Sequence, residues 1–264
     1  MTRPSCRTYR VPARDRDQII GVDHIPEVRP GDDLVALIAN GLRESDAILV
    51  DGDVVVVTHK IVSKSEGQLV DLTTIEPSAL AVQWAEKYEK DARQIEVVLR
   101  EAVRIVRMER GILIAETRHG FICANAGVDA SNVSPQMVCL LPVDPDRSAA
   151  HIRTGLCREF GVDVGVVISD SFGRPWRNGI INVAIGVAGI PALADYRGQT
   201  DAAGYSLHVT VLAIADEIAA AAELIMNKLD ARPVAIVRGY QFPISAEPGA
   251  GRDLVMDPAR DLFR

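Results

Sequence analysis

Hydrophobic residues occur along this chain in short continuous runs, which are typical of buried strands. Three of the runs leave no polar position to face water and therefore predict strands that are covered on both sides. These runs lie at residues 54–57, 164–168 and 233–237. Weaker strand-like segments lie at residues 18–23, 111–115 and 120–124. The pattern thus predicts a core that contains at least one sheet.

Amphipathic stretches separate the apolar runs. Apolar residues recur at helical spacing over residues 34–42, 77–107, 149–160 and 210–229. Asp32 or Asp33 is expected to cap the first helix, and Asp146 or Ser148 the third. The acidic pair Asp216–Glu217 of the last helix is expected to face solvent or to pair with a nearby arginine. Because strands and helices do not alternate as regular βαβ units, the pattern favours an α+β fold over a doubly wound sheet.

The chain shows no internal repeat, no low-complexity linker and no clean domain boundary. Residues 1–18 are polar and rich in arginine, and we interpret them as an N-terminal extension. Residues 19–240 are expected to form one domain. Residues 241–264 contain three prolines and few apolar residues, so we expect a C-terminal tail that lies on the surface.

Composition and charge exclude several classes of protein. Of the 264 residues, 48% are hydrophobic and 25% are charged, as is typical of a soluble globular protein. The formal net charge of −7 argues against a nucleic-acid partner, since no broad basic face is built. No run approaches the roughly 18 apolar residues of a membrane span, and no signal peptide is visible. We therefore expect a cytoplasmic protein with no membrane partner.

The polar stretch ISDSFGRPWRNG at residues 168–179 directly follows a predicted buried strand. It contains Asp170 and Ser171, whose oxygens suit Mg²⁺ or Mn²⁺. It also contains Arg174 and Arg177, whose guanidinium groups bind phosphate or carboxylate through two hydrogen bonds. The stretch is therefore a candidate site for an anionic ligand held through a metal. From these residues alone, a surface turn whose Asp and Arg side chains pair with each other is equally open.

A second polar cluster, at residues 58–67, follows the strand predicted at residues 54–57. It contains His59, Lys60 and Lys64. Because the two lysines flank the apolar pair Ile61–Val62, at least one of them should point inward. Lysine is a common phosphate ligand, so a phosphate-binding role is favoured over ordinary solvated polar residues.

A third polar cluster, NAGVDASNV at residues 125–133, consists of small residues with one carboxylate, Asp129, and two amides, one of them Asn132. Small residues let a ligand approach the backbone closely. A plain turn closed by an Asp or Asn side chain is equally compatible with this segment.

Several common site motifs are absent from the sequence. There is no GxxxxGK[ST] phosphate loop, no GxGxxG after a strand, no HExxH and no GxSxG. The five histidines form no spaced ligand pair, and the cysteines, Cys6, Cys123, Cys139 and Cys157, show no CxxC spacing. We expect reduced, mostly buried thiols. The remaining chemistry is that of carboxylates and hydroxyls for a hard metal ion, with lysine and arginine for phosphates.

Six strings occur in an order that resembles the coenzyme F420:L-glutamate ligase family. They are DGDVVVVTHKIVSKSEG, NAGVDASNV, LLPVDPDRSA, ISDSFGRPWRNG, TVLAIADEIAAAAELIM and PVAIVRG. The resemblance extends from about Gly21 to Gly239 and implies a two-lobed α+β fold with mixed and antiparallel sheets, packed helices and an intertwined homodimer. Some family members carry a nitroreductase-like domain at the C-terminus, and this chain is expected to be the stand-alone form or an excised ligase domain.

The resemblance also implies the activity and the small-molecule partners. The family uses GTP to add L-glutamate to the deazaflavin coenzyme F420-0, through an acyl phosphate. Two further interpretations stay open: a relative that glutamylates another carboxylate, and a nucleotide- or deazaflavin-binding protein without turnover. The sequence decides neither the preferred metal, nor the number of glutamates added, nor whether K⁺ takes part.

Site residues follow from the resemblance by position. The residues implied in GTP binding are Ile25, Pro26, Glu27, Val28, His59, Lys64, Asn132, Met226, Lys228 and Asp230. Asp129 and Asp170 are implied to bind one divalent cation, Mg²⁺ or Mn²⁺, and Ser171 a second. We count Asp129 and Asp170 as catalytic, and we assign Arg174 and Arg177 to the substrate phosphate or the glutamate carboxylates.

Two positions depart from the family pattern. His59 stands where the family usually has Ser, and Lys228 stands where some members supply a Gln as a metal ligand. Because a protonated lysine cannot ligate a hard cation, that metal contact is in doubt, and Lys228 is expected to touch a phosphate instead.

Overall fold

A five-stranded sheet forms the centre of the molecule in the computed structural model, which describes residues 17–242 and 247–261. Most of the predicted N-terminal extension, with Cys6, lies outside the described residues. The helices are α1 Leu34–Glu44, α2 His59–Ser65, α3 Ala79–Tyr88, α4 Ala92–Glu101, α5 Pro145–Phe160 and α6 Ile214–Met226. The strands are β1 Gln18–Val22, β2 Val54–Thr58, β3 Leu69–Asp71, β4 Ala102–Glu109, β5 Ile112–Thr117, β6 Ile122–Ala124, β7 Met137–Cys139, β8 Gly165–Arg174, β9 Arg177–Ala188, β10 Ala194–Asp195, β11 Val211–Leu212 and β12 Val234–Arg238.

The central sheet has the strand order β1-β12-β2-β8-β9. Its β2 and β8 run parallel, and its other neighbouring strands run antiparallel. Three antiparallel strands, β4-β5-β6, form a separate sheet, and β3-β7 and β10-β11 form two-stranded ones. This arrangement confirms the predicted α+β fold with mixed and antiparallel sheets, whereas the intertwined homodimer stays a prediction.

Helices cover both faces of the central sheet, which explains why residues 54–57 of β2 are all apolar. Val55 and Val57 pack in one core with residues of α1 and α5, and Val54 and Val56 pack in a second core with residues of α6. All four valines are fully buried. A third core, around Leu113 of β5, joins α4 to the sheet β4-β5-β6. No helix within the described residues is long and apolar enough to cross a membrane.

The single helix predicted over residues 77–107 is wrong, because the segment is divided into α3 and α4 and its last six residues belong to the strand β4. Helix α3 ends at a left-handed residue, Glu89 (φ 53°), and Asp91 caps α4 by accepting a hydrogen bond from the backbone of Arg93. Residues 102–109 then pair with β5. Helical spacing alone cannot show whether this segment forms a helix or a strand. Here the pairing with β5 decides the conformation.

Three other local predictions are also corrected. Residues 168–179 do not follow a strand but belong to the hairpin of β8 and β9. Helix α5 begins four residues early and is capped by Asp144, whereas Asp146 accepts hydrogen bonds from the backbone of Val187 and Gly251. The contact with Gly251, which is buried, fixes part of the predicted tail against β9.

Helix α6 is shorter than predicted, because Val211 and Leu212 form β11. Asp216 in its first turn faces the sheet rather than solvent or an arginine. It accepts a hydrogen bond from the backbone of Ala184 at 2.9 Å, and burial raises its pKa in spite of that bond. The predicted cap of α1 is resolved in favour of Asp33, whose side chain accepts from the backbone of Ala36 at 3.1 Å.

Candidate functional site

The parallel pairing of β2 and β8 brings two of the predicted polar clusters together. Thr58, the last residue of β2, lies opposite Ser169 of β8. The next residues after this pair are therefore neighbours, namely His59 after β2 and Asp170 along β8. Ser169 is fully buried and Asp170 is half-buried, so the carboxylate stands at the boundary of the core.

The contact between these two neighbours is close. Nε2 of His59 lies 3.2 Å from Oδ1 of Asp170, and the imidazole is 1% exposed. The angles are not those of a hydrogen bond, so Nε2 has no hydrogen-bond partner within the described part of the chain. The other ring nitrogen, Nδ1, lies 3.4 Å from Oγ of Ser63. His59 therefore supports Asp170 from inside the core, on the side away from solvent.

The following residue, Lys60, contacts the second carboxylate. Its Nζ lies 2.8 Å from Oδ2 of Asp129 and also donates to the hydroxyl of Ser131. Burial would raise the pKa of Asp129, but hydrogen bonds from Lys60 and from the backbone of Ser131 together hold it below its ordinary value. The Asp129 carboxylate is thus kept ionised by a neighbouring ammonium.

The loop that carries Asp129 has an unusual backbone. Asn125, Ala126 and Asn132 all have positive φ angles, a conformation that costs non-glycine residues of order 1–3 kcal/mol each. Gly127 has φ 74°, and a Cβ there would lie 2.6 Å from Cγ of Leu141. Ser131 donates its backbone N–H to Oδ1 of Asp129 at 2.6 Å, which closes the turn that the sequence allowed. The segment therefore does form a turn closed by an Asp side chain.

Asp129 and Asp170 line one cavity of about 260 Å³, together with Ser171, Asn125, Gly127 and Phe172. No three His, Cys, Asp or Glu side chains converge as a metal cluster within residues 17–242 and 247–261. A Mg²⁺ or Mn²⁺ ion does not need such a cluster, because it is commonly held by one or two carboxylates, with water and substrate phosphates as its other ligands. The two carboxylates therefore fit one hard divalent cation.

Ser171 belongs to a closed ring of hydrogen bonds that sequence reasoning missed. Its hydroxyl donates to Oδ1 of Asn182 at 2.7 Å, and it accepts from Nζ of Lys228 at 2.6 Å. Nδ2 of Asn182 donates to Oε2 of Glu223 at 2.8 Å, and Lys228 pairs with Oε1 of Glu223 at 2.7 Å. A signal for Asn182 was present, since it is a buried polar residue that interrupts an apolar segment.

An ion pair joins two parts of the implied GTP site. Nζ of Lys64 lies 2.5 Å from Oε1 of Glu27. The Lys64 side chain is 7% exposed and that of Glu27 is 73% exposed, which confirms that at least one lysine of the second cluster points inward. Ile25 and Val28 pack against the core, with Val28 fully inside it, so their side chains support the segment.

The remaining implied GTP residues lie around the end of α6 and in the loop of Asp129. Met226 is buried in the core beneath α6. Asp230 accepts a hydrogen bond from Asn227 at 3.3 Å and is exposed, as is Asn132. Of the segment 226–230, only Lys228 is placed against a residue of the cavity, Ser171.

The two predicted arginines face each other across the hairpin near its turn. Arg177 is exposed, whereas Arg174 is half-buried and its Nη2 lies 3.5 Å from the carbonyl of Asn178. Nε of Arg174 is buried and has no hydrogen-bond partner within the described residues. Asp170 pairs with His59, so the alternative of a turn closed by an Asp–Arg pair is wrong.

The cysteines near the cavity are protonated thiols. Burial, together with the charge of Asp170, raises the pKa of Cys123 to about 12, and burial raises that of Cys139 to about 11. Both are buried free thiols, as predicted. They are unsuited to nucleophilic catalysis, which requires the thiolate.

Comparisons with known proteins agree with the resemblance. The model of the family described as F420-0:Gamma-glutamyl ligase matches residues 23–239. The coenzyme F420:L-glutamate ligase of Methanopyrus kandleri is 48% identical over 90% of this chain and 94% of its own length. Proteins of the same name from Methanothermobacter thermautotrophicus and Methanocaldococcus jannaschii are 42% and 44% identical, over 93% and 81% of this chain and 98% and 85% of their own lengths. The chain therefore belongs to the F420-0:gamma-glutamyl ligase family.

Proposed function

We propose that this chain adds L-glutamate to coenzyme F420-0 in a reaction that consumes GTP. The names of its relatives supply the two substrates. The observation that carries the proposal is the pair of carboxylates on one cavity, Asp129 and Asp170, beside the cationic side chain of Lys60. Such a site suits phosphoryl transfer, which needs positioning and charge neutralisation more than covalent help from the protein.

The reaction proceeds in two steps. An oxygen of the terminal carboxylate of F420-0 first attacks the γ-phosphorus of GTP. The bond from that phosphorus to the β–γ bridging oxygen breaks, GDP leaves with the electron pair, and an acyl phosphate forms. The amine of L-glutamate then attacks the acyl carbon. A C–N bond forms, the C–O bond to phosphate breaks, and the amine gives its proton to the departing phosphate.

The side chains divide this work between them. Asp129 and Asp170 would hold one Mg²⁺ or Mn²⁺ ion, which supplies positive charge next to the phosphates when it is bound. Lys60 keeps Asp129 ionised and His59 fixes Asp170 from within the core. Lys64 lies on the same helix as Lys60 and offsets nucleotide charge.

Arg174 is the better of the two arginines for binding an anionic substrate group. Its half-buried guanidinium has an unpartnered Nε within the described residues, and it lies on the same strand as Asp170. A carboxylate or phosphate would satisfy that donor through a two-point hydrogen bond. Arg177 on the facing strand adds a second positive charge from solvent.

One incubation tests the proposal. The purified chain is given F420-0, GTP, L-glutamate and Mn²⁺, and the products are followed by mass spectrometry and by release of GDP. We expect F420-0 with added glutamate mass, together with GDP, and a loss of about 100-fold or more in Asp170→Asn. Asp163→Asn is the matched control, because that carboxylate is 79% exposed and pairs with Arg153.

The other outcomes are equally informative. Near-normal turnover of Asp170→Asn in saturating Mn²⁺ would contradict the role of this carboxylate. GDP release only with a different carboxylate acceptor would show a related ligase of other specificity. Binding of F420-0 and GTP without turnover would show a non-catalytic member of the family.

A further inference from the structure

We propose that the ammonium group of Lys228 takes the place of a second divalent cation at Ser171, so that each chain binds a single divalent ion. The inference rests on the proposed cation site at Asp129 and Asp170. It concerns the adjacent hydroxyl of Ser171, for which the family resemblance implies a second ion. The inference is supported by the ring of hydrogen bonds that joins Ser171, Asn182, Glu223 and Lys228.

Every oxygen of this ring that faces Lys228 already has a cationic or N–H partner. Nζ of Lys228 lies 2.6 Å from Oγ of Ser171 and 2.7 Å from Oε1 of Glu223. Oε2 of Glu223 accepts from the amide of Asn182 at 2.8 Å. The Ser171 hydroxyl hydrogen points to Oδ1 of Asn182 at 2.7 Å. The ammonium thus occupies the position between a hydroxyl and a carboxylate that a hard cation would take.

A divalent ion at Ser171 and the ammonium of Lys228 exclude each other, because both are positively charged. A Mg²⁺ ion takes its oxygen ligands at about 2.0–2.1 Å. An ion on Oγ of Ser171 would therefore lie next to the ammonium, and a single carboxylate, Glu223, would have to neutralise both. Like charges this close disfavour each other. The Lys228 side chain is half-exposed, so the ring lies at the surface of the site, where the ammonium would still offset the charge of a bound anion.

Removing the ammonium should restore a second site. Lys228→Gln leaves the hydroxyl of Ser171, the carboxylate of Glu223 and a new amide oxygen, all of which are hard-cation ligands. Lys228→Arg keeps the positive charge and should keep the second ion out. Asn182 and its partners stay in place in both variants, and thermal melting verifies that the fold is retained.

The test counts bound Mn²⁺ from the electron paramagnetic resonance signal of free Mn²⁺, with a stoichiometric non-hydrolysable GTP analogue present. We expect about one ion per chain in the wild type and in Lys228→Arg, and about one more in Lys228→Gln. Equal counts in the wild type and in Lys228→Gln, or two ions in the wild type, would overturn the inference.

The proposed cation site is measured separately, by the ion lost in Asp129→Asn and Asp170→Asn. An unchanged count in these two variants would contradict that site, whereas the gain in Lys228→Gln decides the role of the ammonium.

Discussion

Nε2 of His59 lies 3.2 Å from Oδ1 of Asp170, while the next side chain, Lys60, pairs with Asp129 at 2.8 Å. Two consecutive residues at the start of α2 therefore each contact one of the two carboxylates on the cavity. Because α2 follows β2 without a break, the sheet itself fixes where these two side chains stand. Of the two residues, His59 is the buried one.

Replacing His59 with Ala should lower the free energy of unfolding by about 2–4 kcal/mol, because it leaves a cavity in a fully buried position. It should also weaken Mn²⁺ binding, since Asp170 loses the group that holds it. His59→Gln is the matched control, because its amide nitrogen can reach the position of Nε2. Chemical denaturation and Mn²⁺ titration measure the two effects. Unchanged Mn²⁺ binding in His59→Ala would show that Asp170 is held by other contacts.

The pKa of Asp129 leads to an expectation about acid stability. Its folded-state pKa lies below the ordinary value of 3.8, so the ionised carboxylate stabilises the fold above that value. This contribution is lost as the pH falls below 3.8 and through the folded pKa. Asp129→Asn should therefore show a weaker loss of stability on acidification than the wild type.

Unfolding by urea at pH 6 and at pH 3 tests this difference. Lys60→Met provides the second arm, because it removes the hydrogen bond and the charge of Lys60 and leaves the hydrogen bonds from Ser131 alone to oppose the effect of burial on the pKa of Asp129. In that variant the stability contributed by the ionised carboxylate should decrease. Identical acid profiles in all three proteins would mean that the Lys60–Asp129 pair is not formed in solution.

Asp216 should behave in the opposite way. Burial raises its pKa, so its contribution to stability is greatest below pH 3.8 and declines as the pH rises through the folded pKa. At pH 7 the charged carboxylate is therefore a cost. Asp216→Asn should raise the melting temperature at pH 7 and have little effect at acid pH, because its amide oxygen still accepts from the backbone of Ala184.

Glu217→Gln is the control for Asp216. It removes a negative charge from the same first helical turn, but at an exposed position. Any loss of interaction with the helix dipole is thus common to both variants, and only the burial differs. Equal melting temperatures for the two variants at pH 7 would contradict a cost due to burial.

The sequence predicted this site in pieces but not its assembly. The strand at residues 54–57 and the helix after Asp33 follow from local patterns, and the structure confirms both. Each polar cluster was also visible locally. Their convergence depends on the parallel pairing of Thr58 with Ser169, residues that are far apart along the chain, and no local period reports such a pairing.

The ring around Ser171 was hidden for the same reason. Glu223 lies in the alanine-rich part of α6 and Asn182 lies in the apolar part of β9, so each is a polar residue with apolar neighbours on both sides along the chain. Only the packing of α6 across β9 brings them together. The error over residues 102–107 is related, because the helical spacing there is overridden by pairing with β5.

The Lys64–Glu27 pair gives a final expectation, in which two substitutions act in opposite directions. Lys64 is buried, and its ammonium pairs with the exposed carboxylate of Glu27. If Lys64 binds nucleotide phosphate, then Glu27 both neutralises it and repels the ligand. Lys64→Met, which keeps the packing of the stem, should weaken GDP binding by about 10-fold, or ~1.4 kcal/mol. Glu27→Gln should strengthen GDP binding by a few fold.

Calorimetric titration at low and high salt measures both changes in GDP binding. Both changes should become smaller at high salt, because they are electrostatic. Weakening of GDP binding by both substitutions would instead show that the intact ion pair, rather than the charge of Lys64, is what the nucleotide requires.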